Sequence, residues 1–324
     1  MSTILVTGAS GFVGSHVLPE LLASGHRVVA LVRSPEAGAA VLRRLSAALA
    51  PGIELRTGDV LEPATLPAAL AGVDGVVHLV ALARDWNGGA DLLRVNLGGT
   101  ENVLGAMEQA GVRRLVHLGA LGVADRDELN YAKSKARAEA AVRAGGLDWT
   151  ILKPSLLFGP GDGFFNIVAG LVRAPVPLVP VPGDGMSRFQ PIHVGDVARC
   201  ARLALERPET IGQAFELGGP RTWTYREITE EVARVLRKRR RVVPMPLPLI
   251  RLAAGTMEAL HLRFFPVATD QLRQLALDNV GPLDGVERAF GFAPRTMEGA
   301  LLYLRRPKQQ QEPQPQEPEP GPAA

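Results

Sequence analysis

Thr3-Ile4-Leu5-Val6-Thr7-Gly8-Ala9-Ser10-Gly11-Phe12-Val13-Gly14 decides the fold. Thr3 to Thr7 is a short β-branched and apolar run of the kind that forms a buried strand. The three glycines follow at a spacing of three, and His16-Val17-Leu18-Pro19-Glu20-Leu21-Leu22 then continues as a helix. Gly8 lets the chain leave the strand with positive φ, Gly11 lets backbone approach a pyrophosphate, and Gly14 lets the helix pack close to the strand. The helix N-terminus offers unpaired N–H groups and a partial positive charge to that phosphate. A glycine-rich turn also serves as a plain connector. Here it lies between a strand and a helix, and Arg27-Val28-Val29-Ala30-Leu31-Val32 supplies the next strand, so the whole βαβ unit is present. Ser10, Phe12 and Val13 line the turn with the glycines.

At 324 residues and 46% hydrophobic composition, the chain can bury the core of one large α/β domain with a smaller lobe attached. The formal net charge of +3 gives no global case for nucleic-acid binding. A single cysteine, Cys200, excludes an intrachain disulfide framework and Cys-rich zinc sites, and reads as core filler. The N-terminus shows no secretory pattern, and no apolar run suffices for a membrane span. The expectation is a cytoplasmic protein, with contact at the inner face of a membrane left open.

Where the second strand ends, a nucleotide-binding unit chooses its cofactor. An NAD site places a carboxylate there for the ribose hydroxyls, whereas a 2′-phosphate favours a guanidinium. Arg33 therefore points to NADP(H), with NAD(H) still possible if Arg33 merely ends a strand at the surface. Residues 37–50 have helical spacing, Ile53 to Arg56 reads as a third strand, and Gly58-Asp59-Val60 follows. Asp59 is either an acceptor for the adenine amine or a cap for a helix over 63–70. Val73 to Ala81 reads as a fourth strand, buried on both faces. Its end, Leu79-Val80-Ala81, passes the nicotinamide ribose, and His78 within it reads as a satisfied core histidine. A helix over 91–109 and a strand over 113–119 complete an alternation that predicts a parallel, doubly wound sheet.

Tyr131 and Lys135 lie four apart and share a helix face, an arrangement in which the ammonium lowers the phenol's pKa and holds ribose hydroxyls. This Tyr-x-x-x-Lys, the opening Gly-x-x-Gly-x-x-Gly and the segment Trp149-Thr150-Ile151-Leu152-Lys153-Pro154-Ser155 resemble the extended and atypical short-chain dehydrogenase/reductases. Val95-Asn96-Leu97-Gly98-Gly99-Thr100-Glu101-Asn102 is similar to a helix of the same family, its small residues permitting close packing on the sheet. With Phe189 to Ala198 and Thr269 to Val280, the likeness narrows to the group that includes alpha-subcomplex subunit 9 of mitochondrial complex I. The resemblance covers residues 1 to about 306. It implies a Rossmann core over 1–160, a segment over 161–306 that completes the core and forms a smaller lobe, and Asp59 beside the adenine and Pro154 near the nicotinamide carboxamide. It also implies NADPH held without demonstrated turnover, and links to quinone-related pathways.

One departure from that family bears on activity. Its fifth strand ends in a Ser that polarises a substrate carbonyl; here the strand ends His117-Leu118-Gly119-Ala120. Losing one donor to a developing oxyanion costs about two to three orders of magnitude in rate elsewhere. Three readings follow: a tight NADP(H)-binding accessory or assembly protein; an active reductase or epimerase acting on an unknown small molecule, with Tyr131 as acid, Lys135 beside it and Asn96 or a water replacing the Ser; or an NADPH-sensing regulator that binds a protein partner. If the second holds, a Ser restored at Gly119-Ala120 raises activity.

His193 reads as structural at the lobe junction. Arg237-Lys238-Arg239-Arg240-Arg241 is either a solvated helix end or, with the apolar stretch Met245 to Ala254, a surface for an anionic membrane or a protein complex, against a lid over the substrate cleft. The Pro, Gln and Glu residues over 307–324 are expected to be disordered.

Overall fold

The computed structural model describes residues 1–46, 48–84, 88–246, 275 and 277–306. The expectations for Leu247 to Ala254, for most of Thr269 to Leu275 and for the 307–324 tail lie outside the described residues. Seven parallel strands form the central sheet: β1 (Thr3–Thr7), β2 (Arg27–Val32), β3 (Ile53–Thr57), β4 (Gly75–His78), β5 (Arg114–Leu118), β6 (Asp148–Pro154) and Gln213–Leu217, which becomes β11 once β7 (Leu157–Phe158), β8 (Leu178–Pro182), β9 (Arg188–Phe189) and β10 (Ile192–His193) are counted. Their order is β11-β6-β5-β4-β1-β2-β3. The chain reverses its direction of travel across the sheet between β1 and β4, where Thr7 pairs with His78, and such a switch point leaves a crevice at the strand ends.

Both faces of a parallel sheet must be covered, and the strands read accordingly. On one face, α1 (Gly14–Ala23), α2 (Pro35–Arg43) and α8 (Val194–Glu206) bury Val17, Leu21, Val41 and Cys200 against β1, β2 and β6. On the other, α3 (Leu66–Leu70), α5 (Gly99–Ala110) and α6 (Asn130–Ala144) bury Leu66, Met107 and Val142. The smaller lobe has a third core. There α7 (Phe164–Arg173) and α9 (Tyr225–Val235) pack Phe165, Val168, Ile228 and Val232 together. Three two-stranded pairs frame it: β7 with β10, β9 with β12 (Trp223–Thr224), and β8 with β13 (Arg241–Met245).

Several elements differ from the expectation for local reasons. The helix expected over 37–50 is α2, which starts two residues earlier and ends at Arg43; Ser34 caps it by accepting from Ala37 N, and Pro35 fits its first turn. The fourth strand stops at His78, because Leu79 and Val80 leave the ladder to pass under the glycine turn; a Cβ on Gly8 would lie 3.1 Å from Leu79 C and Val80 N. The helix expected over 91–109 begins with the short α4 (Ala90–Leu92) and a π-helical turn over Leu93–Gly98 before α5. Of its two glycines, Gly99 does permit close packing, with the Val60 side chain 2.9 Å from where a Cβ would sit, while Gly98 faces open space.

Candidate functional site

The glycine turn is built as a cradle. Gly8 has φ +71°, Gly11 N donates to Gly8 O at 3.0 Å, and a Cβ at Gly14 would lie 2.4 Å from Gly8 O and 2.6 Å from Ala9 O. Only a residue without a side chain lets α1 approach the turn this closely. At Gly11 a Cβ would meet Gly8 O alone, at 3.1 Å, and would otherwise project into the mouth of the turn. Among the described residues no side chain caps α1 at Val13; Ser15 N donates to Gly11 O and His16 N to Val13 O, each at 3.0 Å, which leaves the N–H groups of Val13 and Gly14 for a phosphate. The Phe12 ring stands edge-on to His16 with centroids 5.7 Å apart, and His16 Nε2 lies 3.2 Å from Pro160 O, tying the turn to the loop after β7. These residues fit a dinucleotide diphosphate.

Around the cradle, Arg33 is exposed at the end of β2. Arg44, which sequence reasoning passed over, reaches back from the end of α2 and donates to Ser10 O at 2.8 Å. Arg44 thus places a guanidinium against the glycine turn, and Arg33 stands exposed at the end of β2. Asp59 does not cap the following helix. Its Oδ1 accepts from Leu61 N at 2.9 Å, and no bond within the described residues uses Oδ2. Val60 is buried and its carbonyl accepts from Asn102 at 2.8 Å. Leu79, Val80 and Ala81 form the crevice edge beside Gly8, and Pro154 ends β6 with its carbonyl accepting from Leu121 N at 2.9 Å.

The Tyr131–Lys135 pair differs from its expected electrostatics. Lys135 is 1% exposed and donates to Leu118 O at 2.5 Å. Burial pulls its ammonium down to about 8, against the opposing pull of Glu139. Tyr131 is pushed up to about 12 by burial and then by the Glu139 carboxylate, so the expected lowering of the phenol is corrected: Lys135, itself buried, turns one of its three N–H donors to a β5 carbonyl and does not offset that rise. Glu139, one turn beyond Lys135 and also unforeseen, pairs with Lys153 at 3.5 Å. A Cβ at Gly119 would lie 2.5 Å from Glu139 Oε1 and 3.1 Å from Ile151 Cγ2. A carboxylate thus closes the space beside the position the family gives to its Ser. A Ser restored at Gly119 would have to displace it.

Asn96 is a correction as well. Its Oδ1 accepts from Leu82 N at 2.7 Å, and its Nδ2 donates to Leu82 O at 3.0 Å and to Ser134 Oγ at 2.9 Å. Ser134 in turn donates to Tyr131 O at 2.8 Å. Both amide protons are committed, so Asn96 polarises no substrate. It clamps the loop after β4 to the start of α6 and thereby positions Tyr131.

His78 is a satisfied core residue. Thr7 Oγ1 donates to its Nδ1 at 2.7 Å, and its Nε2 donates to Thr100 Oγ1 at 3.1 Å, the tautomer following from the Thr100 bond to Asn96 O. Burial holds it down to about 3. His117 stacks on it with centroids 5.4 Å apart, and among the described residues neither of its own ring nitrogens has a partner. His193 caps α8 by accepting from Gly195 N at 3.0 Å, and Arg295 NH1 lies 3.2 Å from the same nitrogen. Asp162, fully buried, accepts from Asn166 N and from the Tyr303 hydroxyl; burial pushes its carboxyl up to about 6. Among the described residues, no cluster of His, Cys, Asp and Glu could hold a metal ion.

A glycine cradle at a topological switch point, with Tyr131 and Lys135 on the helix after β5, defines a Rossmann dinucleotide-binding protein of the short-chain dehydrogenase/reductase kind. The chain belongs to the NAD dependent epimerase/dehydratase family, whose sequence profile matches residues 4–218. It is 26% identical over 272 residues to the mitochondrial NADH dehydrogenase [ubiquinone] 1 alpha subcomplex subunit 9 of Arabidopsis thaliana, covering 83% of this chain and 67% of that protein. It is 32% identical over 266 residues to the ceramide reductase of Caulobacter vibrioides, covering 79% and 77%. A nucleoside-diphosphate-sugar epimerase from Staphylococcus aureus shares the fold with a TM-score of 0.73 at 18% identity, over 94% of this chain and all of that one.

Proposed function

We propose that this protein holds NADP(H) as a lasting ligand and works as an accessory or assembly subunit, with little or no oxidoreductase turnover. The observation that carries this reading is the end of β5, where Gly119 supplies no hydroxyl and the Glu139 carboxylate occupies the adjoining space. A carboxylate stabilises no developing oxyanion, so the site lacks the donor worth about two to three orders of magnitude in rate. The likeness to a subunit named for complex I supports a role within a larger assembly, joined to a quinone pathway only through that assembly's chemistry, and is consistent with a retained nucleotide.

When bound, the dinucleotide supplies a hydride donor or acceptor. This chain's own residues do the rest. Arg33 and Arg44 favour the 2′-phosphate, Gly8 to Gly14 and the α1 N-terminus take the diphosphate, and the free oxygen of Asp59 accepts from the adenine amine. Lys135, an ammonium at neutral pH, serves the ribose hydroxyls. Tyr131 keeps its proton.

That retained proton favours a second reading, a slow reductase in which Tyr131 donates to the oxygen of a reduced carbonyl. Titration with NADPH and NADH, followed by mixing with aldehydes, ketones and quinones, separates the two. The accessory reading expects NADPH to bind at least about tenfold more tightly and to stay reduced; Arg33→Ala and Arg44→Ala weaken NADPH and leave NADH unchanged. Multiple turnovers on any of these acceptors would establish the reductase, and equal affinity for the two nucleotides would remove the NADP assignment.

A further inference from the structure

We propose that the turn between α9 and β13, with the adjoining start of β8, is a docking surface for an anionic lipid bilayer. The basic run is here divided by use. Arg240 is a fastener: its guanidinium donates to Val172 O and Ala174 O at 2.9 Å, tying the turn to the end of α7. Arg234 is bound to Glu231 at 2.5 and 2.6 Å. Arg237, Lys238, Arg239 and Arg241 are exposed, and none makes an ion pair among the described residues. Arg237 closes the helix at φ +55°, with Lys238 N donating to Ala233 O at 3.0 Å, a closure that glycine normally provides.

Lys238, Arg239 and Arg241 line an open depression of about 600 Å³ that Pro177 also lines. Pro177 lies between Val176 and Leu178, which are 49% and 45% exposed. Strand register places the two features together: Leu178 pairs with Arg241, and Arg241 N donates to Pro177 O at 3.0 Å. An apolar tip within a collar of unpaired cations is the arrangement an interfacial segment uses, its apolar side chains entering the acyl boundary while its cations take lipid phosphates. Among the described residues that line the depression, the one exposed carboxylate is Glu230. Among the described residues, none of the glycine turn, Tyr131 or Lys135 lines it. The surface is separate from the dinucleotide reading and stands or falls without it.

The test is flotation of the full-length protein with phosphatidylcholine vesicles and with vesicles containing phosphatidylglycerol, across a salt series, with and without saturating NADPH. Binding is expected only to the anionic vesicles, weakening as salt rises. Each cation near such a surface is worth about fivefold, so Lys238→Gln/Arg239→Gln/Arg241→Gln together lower partitioning about a hundredfold. Val176→Ser/Leu178→Ser lowers it on anionic vesicles without changing the salt slope. NADPH binding and the thermal midpoint report whether the variants fold, and the wild-type salt series needs no variant. Equal binding to neutral vesicles, no binding to either, or unchanged partitioning of the folded triple variant overturns the proposal. Displacement from vesicles by inorganic phosphate at matched ionic strength would mark a site for a free anion instead, and equally overturns it.

Discussion

Replacing Gly14 by Ala and Gly11 by Ala separates the two jobs of the glycine turn. A Cβ at Gly14 would stand 2.4 Å from Gly8 O, 2.6 Å from Ala9 O and 2.8 Å from Ala9 C, all backbone atoms with nowhere to go. Helix α1 must then back away by about 1 Å to restore ordinary contact. Val17, Leu18 and Leu21 on its inner face are no more than 2% exposed, and each contributes roughly 1.5–3 kcal/mol by burial. A gap of that size forfeits about a quarter to a half of the contact energy across it, so Gly14→Ala should cost roughly 1–4 kcal/mol. Moving the helix N-terminus also removes its N–H groups from the phosphate, and NADPH affinity falls with stability. At Gly11 the added carbon meets only Gly8 O at 3.1 Å, so stability should stay within about 0.5 kcal/mol while the methyl blocks the mouth of the turn and binding is lost. Urea unfolding and NADPH titration by intrinsic fluorescence measure both. A Gly14→Ala protein of unchanged stability, or a Gly11→Ala protein that binds normally, would refute this assignment.

Lys135 titrates near 8 in the folded chain against a usual 10.5, so the difference in unfolding free energy between wild type and Lys135→Met should grow as pH rises from about 8 towards 10.5 and flatten above it. NADPH affinity should fall over the same rise, as the ammonium that serves the ribose loses its proton; a pH-independent affinity would count against that role. Asp162, raised to about 6, makes the opposite contribution: stability is fully present below about pH 3.8 and is lost as pH climbs through 6. Tyr303→Phe removes a donor to that carboxylate and should cost about 1.5–3 kcal/mol above pH 6 and less below pH 4, as read from denaturation at the two pH values. His117→Phe keeps the ring stacked on His78 and deletes two nitrogens without partners among the described residues, so it should be neutral or stabilising by about 1 kcal/mol, whereas His78→Phe takes the Thr7 hydroxyl's acceptor and one donor to Thr100 and should cost about 1–3 kcal/mol.

The glycine turn, the parallel doubly wound sheet and the place of Tyr131 and Lys135 were legible because each is written in local spacing. A three-residue glycine period, alternating elements and an i, i+4 pair need no knowledge of distant neighbours. The chemistry of the pair was not legible, because it depends on Leu118 O, Glu139 and Lys153, which only the closed sheet brings to the helix. Asn96 misled for the same reason, since Leu82 and Ser134 consume its donors across gaps of 14 and 38 residues. Arg44 carried no motif, and Tyr303 meets Asp162 across 141 residues. The strap formed by Asn279, which donates to Leu121 O at 2.6 Å and accepts from Ser155, likewise appears only once the C-terminal segment crosses the strand ends. The basic run was visible, but not that Arg240 fastens it or that Val176 and Leu178 stand beside it.

The nucleotide released when the purified protein is denatured tests the central claim most directly. The account predicts near-stoichiometric NADP(H) that survives gel filtration and that added carbonyls and quinones leave unoxidised. Protein that emerges empty, carries only NAD(H), or gives up its hydride to an added acceptor in repeated turnovers would contradict it.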